Sequence, residues 1–209
     1  MLNTYPAAMT GPQGKLEVDI DVPAKCTQGI AFLAHPLTTQ GGTKDHKVLT
    51  VMSKALRDAG YLVVRPNLRG AGASAGSYDG GAGEAEDFLA VIRQAFELRG
   101  VQELLPAGGR VLFGGFSFGT YVALMAGEVM RPSGMLLAGA ACGVFDMPRV
   151  STPAHVVHGE NDEIIALGDV LRWAEASDLA VTVMPGADHF FTRRQALLQR
   201  TFARCIATL

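Results

Sequence analysis

The strongest constraint on this chain is a rhythm of short apolar segments separated by helical ones. GIAFLAHP, residues 29–36, is an unbroken apolar run. Such a run suits a strand buried on both faces, as in a parallel sheet. YLVVRP, RVLFGGF, GMLLAGAAC, PAHVVHG and AVTVMPG read as further strands. Between them lie stretches with helical spacing. Over 45–59 the apolar residues are Val48, Leu49, Met52, Ala55, Leu56 and Ala59, and Gly60 stops the pattern. Over 84–98 they are Phe88, Leu89, Ile92 and Phe96. Helices are also expected at 118–130, 165–176 and 195–207. This β-α-β-α order predicts a three-layer α/β/α sandwich with a mostly parallel sheet. Upstream, KLEVDIDVP places Leu16, Val18, Ile20 and Val22 on one face, as an edge strand would. Residues 1–14 read as a flexible N-terminus and 15–209 as one domain.

Composition narrows the function classes. The chain has 209 residues, is 48% hydrophobic and carries a net charge of −2. No basic run stands out, so charge gives no reason to expect a nucleic-acid or anionic-membrane partner, and neither is expected. Cys26, Cys142 and Cys205 are odd in number and form no C-x-x-C. Neither a disulfide framework nor a zinc site is expected, and a reducing compartment fits best. MLNTYPAAMTGPQGK lacks the basic and apolar regions of a secretory signal. The longest apolar run, at 135–145, is too short to span a bilayer. A soluble, cytoplasmic protein is the expectation.

GGFSFGTY, residues 114–121, carries the candidate chemistry. A G-x-S-x-G string alone is modest grounds, but here it follows a strand and opens a helix. A serine on so sharp a turn has strained dihedrals, and flanking side chains would collide with neighbouring backbone; Gly115 and Gly119 remove them. A serine hydroxyl also needs a base, and the base needs an orienting acid. Glu160, Asn161 and Asp162 follow one late strand, and Ala187, Asp188 and His189 follow the next. Each lies where it can reach the same sheet edge as Ser117. Glu160 and Asp188 are the rival carboxylates, with solvated loop positions as their alternative.

These pieces, with AHPLTTQGGTKDHKV and RPNLRGAGASAGSY, resemble the α/β-hydrolase superfamily. Within it the chain is similar to small lidless bacterial serine hydrolases of the dienelactone hydrolase-like group. The resemblance implies Ser117 as nucleophile, Asp162 as acid and His189 as base, in the chain order Ser, Asp, His. It implies an oxyanion hole from the N–H of Phe118 and a donor after GIAFLAHP. Pro36 has no N–H, so Leu37 is the first candidate and Thr38 the next. His35 is placed to shape that loop through hydrogen bonds.

Other features read as structural. His155 and His158, three apart on one strand, point to opposite faces, which argues against joint metal ligation. His158 reads as packed at a strand end, His46 as solvent-exposed at a helix start, and Cys142 as a small buried residue. Gly70, Gly72 and Gly76 suggest dinucleotide binding, but a second glycine loop replaces the helix that motif requires. They read as a structural loop, with Arg69 bonding backbone carbonyls.

The expected reaction is acyl transfer to water through an acyl-enzyme, with no metal or cofactor. Residues 143–152, between two strands, are too few for a cap domain, so the site should be open. Phe116, Phe145, Met147 and Phe190 are the candidate substrate-binding residues. An apolar rim of this kind suits a small-molecule short acyl or aryl ester. A thioesterase, an amidase or peptidase, and a non-catalytic binding protein on the same fold are the alternatives.

Overall fold

The computed structural model describes residues 3–209. Its strands are β1 (Asn3–Gly11), β2 (Gly14–Val22), β3 (Gly29–Ala34), β4 (Tyr61–Pro66), β5 (Arg110–Phe116), β6 (Gly134–Ala138), β7 (Ala154–Gly159) and β8 (Val181–Met184). The helices are α1 (Lys47–Asp58), α2 (Ala82–Glu97), α3 (Arg99–Leu104), α4 (Phe118–Met130), α5 (Leu167–Ala176) and α6 (Gln195–Ile206). One sheet runs β1-β2-β4-β3-β5-β6-β7-β8. β1 and β2 are antiparallel additions; from β4 onward every pairing is parallel.

The three-layer architecture follows from the burial pattern. Every residue of β3, β4 and β6 is buried, so both sheet faces must be covered. On one face α2 and α4 close a core in which Phe32, Phe88 and Phe113 meet edge to face. On the other, Leu49, Met52 and Leu56 of α1 join Leu198 and Phe202 of α6. No cap domain is inserted between β6 and β7.

The N-terminal segment differs from expectation. Residues 3–11 are not loose but form β1, joined to β2 by a turn at Pro12 and Gln13. β2 is therefore an interior strand. Only Met9 of β1 is fully buried, so the apolar pattern carries little strand signal. Backbone pairing to β2 holds the segment, and Pro6 is tolerated because β1 is the outer edge. Met1 and Leu2 lie outside the described residues. The short helix α3 was also not expected; it buries only Val101.

The glycine loop after β4 is a structural brace. Arg69 does not bond carbonyls: Nε and Nη2 each donate to Asp87 of α2, at 2.9 Å, with both side chains buried. The Arg69 N–H also donates to Asp87 at 3.0 Å. Removing one partner of such a pair leaves an uncompensated buried charge. Asp87→Ala is expected to cost about 3–5 kcal/mol. Urea unfolding checks it; a loss below about 1 kcal/mol would mean that water reaches the pair.

Candidate active site

Ser117 sits between β5 and α4 with φ 54° and ψ −124°, a left-handed conformation that a non-glycine residue avoids. The surroundings hold it there. Its N–H donates to the Ala138 carbonyl at 2.9 Å. The Thr120 hydroxyl donates to the Ser117 carbonyl at 2.6 Å and accepts from the Ala141 N–H at 3.1 Å. Thr120 thus ties the elbow to the segment after β6, a role hidden in the sequence. The flanking glycines are steric necessities. A methyl group on Gly115 would collide with the Gly119 carbonyl, and one on Gly119 with the Ala34 carbonyl.

His189 and Asp162 arrive from the ends of β8 and β7. The two loops are laced together: Glu160 N–H donates to Met184 O at 3.0 Å and Asn161 N–H to Ala187 O at 2.9 Å. A Cβ on Gly159 would lie 2.5 Å from the Ala187 carbonyl, so the approach requires glycine. The result is one hydrogen-bonded chain. His189 Nε2 is 3.0 Å from Ser117 Oγ, and His189 Nδ1 is 2.7 Å from Asp162 Oδ2. The rival carboxylates point elsewhere: Glu160 accepts from Gly186 N–H and Asp188 from Thr192 N–H.

The Asp162 side chain is wholly buried. Burial pushes its pKa up, but bonds from His189 and from the Ile165 and Ile164 N–H groups outweigh burial and hold it below the ordinary carboxylate value. His158, buried as expected, bonds the Ile165 carbonyl at 3.0 Å and lies 3.5 Å from Asp162 Oδ2. Burial lowers its pKa, which keeps it neutral beside the carboxylate.

The loop after β3 completes the site. Leu37 lines the cleft at Ser117 and Thr38 does not. Neither the Leu37 nor the Phe118 N–H donates a hydrogen bond within the described residues. His35 anchors the loop from below. Its Nε2 accepts from the Leu68 N–H at 3.0 Å, so Nδ1 carries the proton and donates to the Pro36 carbonyl at 2.6 Å. Farther along, Arg65 donates to the Lys44 carbonyl at 2.6 Å and to Asp21 at 2.7 Å. This buried brace sets the approach to α1.

Burial drives the His35 pKa from 6.5 down to about 4. The unfolded chain therefore takes up this proton near pH 6.5, while the folded one resists until about pH 4. Stability is fully present above that window and falls as pH drops through it. At about 1.4 kcal/mol per pH unit, His35 accounts for a loss of ~3 kcal/mol. A His35→Gln variant is expected to show a flatter urea-stability profile between pH 6.5 and 4; a slope equal to wild type would refute this.

The candidate substrate residues divide. Phe190, 44% exposed, lines the cleft. Phe116 does not: it is fully buried, because the last residue of β5 points opposite to Ser117 and into the α1 side. Phe145 stacks on Tyr121 at 4.9 Å, and Met147 packs against the core on the α4 side, so neither lines this cleft. His46 was missed. It is half-buried, caps α1, and lines the cleft beside Ser117. The cleft itself is small, about 60 Å³. A larger one of about 820 Å³ lies at the amino-terminal ends of β3 and β4, far from any nucleophile–base pair. Cys142 is buried, and burial pushes its thiol up to about 12, which leaves it inert. Among the described residues no group of three or more His, Cys, Asp or Glu side chains is placed to hold a metal.

A sheet of this order, with an elbow serine and no lid, defines an α/β serine hydrolase. The chain is similar to a lidless α/β serine hydrolase from Xanthomonas campestris, at 32% identity and a TM-score of 0.90, over 98% of this chain and 94% of that one. It is similar also to an α/β serine hydrolase homologue from Coxiella burnetii, at 30% identity and a TM-score of 0.86, over 98% and 97%. An uncharacterised Rickettsia prowazekii protein is 30% identical over 196 residues, covering 87% of this chain and 79% of that one. Residues 14–161 match the X-Pro dipeptidyl-peptidase (S15) family, and the chain belongs to it.

Proposed function

We propose that this hydrolase cleaves short acyl or aryl carboxylic esters through an acyl-enzyme on Ser117. The observation that carries the reading is the hydrogen-bonded chain from Ser117 through His189 to Asp162 at a strained elbow. Ser117 Oγ attacks the ester carbonyl carbon and its proton passes to His189 Nε2. Asp162 accepts from Nδ1–H and stabilises the imidazolium. The N–H groups of Phe118 and Leu37 donate to the oxyanion. The intermediate collapses, the carbon–alkoxy bond breaks, and His189 returns the proton to the leaving oxygen. Water then attacks the acyl carbon, its proton goes to His189 and then to Ser117 Oγ, and the acid leaves.

A second reading, peptide cleavage by the same three residues, is favoured by the S15 family match. A dipeptidyl-peptidase must hold a substrate ammonium, which calls for a carboxylate. No Asp or Glu lines the cleft at Ser117, which favours the ester. Three free thiols fit a reducing, cytoplasmic setting, and no helix among the described residues is long and apolar enough to cross a membrane. A fluorophosphonate probe tests the nucleophile: the adduct should map to Ser117 in folded protein, and its absence there sinks the proposal. Rates on p-nitrophenyl esters of rising acyl length, set against Ala-Pro-p-nitroanilide, then separate the two readings.

A further inference from the structure

His46 is an imidazole at the cleft for which the reaction above has no use. Its Nδ1 accepts from the Val48 N–H at 3.3 Å as the N-cap of α1. That bond leaves the proton on Nε2. Nε2 has no hydrogen-bond partner within the described residues, yet it is not sealed from solvent. Two aromatic rings flank the imidazole. It stacks on Phe116 at 4.9 Å and 19°, and Phe190 closes a further side at 6.0 Å. The result is a fixed neutral donor beside the nucleophile. Burial first, then the neighbouring His189 and Lys47, keeps the imidazole uncharged.

The side of the site that His46 occupies identifies what it meets. The leaving oxygen must reach His189 Nε2 to be protonated. The cleft bounded by His189, Phe190, Ile164 and His46 is therefore the alcohol side. Besides Ser117 and His189, the only polar side chains on its walls are His46 and Gln40, and no Lys or Arg lines it. A carboxylate or phosphate on the alcohol would find no countercharge there. A neutral oxygen would find the Nε2–H.

Resting on the ester reading, we propose that His46 Nε2–H recognises a neutral oxygen on the alcohol portion, so that esters of short alkoxy- or hydroxy-substituted alcohols are preferred over those of plain alkanols. An alkyl group in the same place leaves a desolvated donor unpaired, which is the source of the discrimination.

The test compares 2-methoxyethyl butyrate with n-butyl butyrate, which differ by one oxygen in place of a methylene, by pH-stat. His46→Asn keeps the cap through its amide oxygen, while its amide nitrogen sits nearer the backbone and does not reach the Nε2 position. His46→Phe keeps the ring and its stacking without either nitrogen. The wild-type ratio of kcat/KM, methoxyethyl over butyl, is expected to fall about tenfold in both variants. Taking the ratio between proteins cancels the intrinsic reactivity of the two esters. A ratio within about twofold of wild type in folded His46→Asn overturns the role of His46 while leaving the ester reading intact. Failure of wild type to cleave either ester, or full activity in Ser117→Ala, overturns the ester reading and this one with it.

Discussion

Ser117→Ala is expected to lower kcat/KM for p-nitrophenyl butyrate by about 10⁵- to 10⁶-fold. The loss is that large because the hydroxyl, the base and the acid act as one unit: without Oγ, His189 has no proton to take from a positioned nucleophile. The variant should fold as well as wild type. Alanine meets the same strain at φ 54° as serine, and the Ser117 bonds to Ala138 and Thr120 are made by backbone atoms. Some rate above water should survive, since the cleft and the free N–H groups of Leu37 and Phe118 are untouched. Steady-state kinetics on protein with an unchanged circular dichroism spectrum checks it. Retention of a tenth or more of wild-type activity would place the chemistry elsewhere.

Asp162→Asn is expected to cost about 10⁴ in kcat with little change in KM. The reason lies in which oxygen of Asp162 does what. The Ile164 and Ile165 N–H groups both donate to Oδ1, at 3.0 and 2.8 Å. An asparagine must therefore put its carbonyl oxygen there. Its NH₂ then occupies the Oδ2 position, facing His189 Nδ1. The imidazole can meet that donor only by accepting at Nδ1, which moves its proton to Nε2, against Ser117 Oγ. A histidine in that tautomer cannot take the serine proton. The geometry stays whole while the base is lost, so the variant should still melt cooperatively. A kcat within tenfold of wild type would show that His189 does not depend on Asp162 for its tautomer.

Both expectations draw on residues legible in the sequence, because the chemistry requires them in fixed local settings. A serine between two glycines after an apolar strand, an aspartate after the next-to-last strand and a histidine after the last mark positions that a parallel sheet delivers to one edge. The parallel sheet was equally legible, since strands covered on both faces leave unbroken apolar runs such as GIAFLAHP. β1 was not, because its only fully buried residue is Met9 and its order comes from backbone pairing that any side chain permits.

What the sequence alone determined is therefore the class: strand and helix order, elbow serine, and the aspartate and histidine that follow it. Tertiary structure decided the rest. It turned Asp162 toward His189 and Glu160 and Asp188 toward backbone N–H groups elsewhere. It removed Phe116, Phe145 and Met147 from the cleft and brought His46 in. It turned Arg69 onto Asp87, and Arg65 and His35 onto the loop beside the nucleophile. These contacts join residues far apart in the chain through side-chain direction and burial, and periodicity along a strand or helix encodes neither.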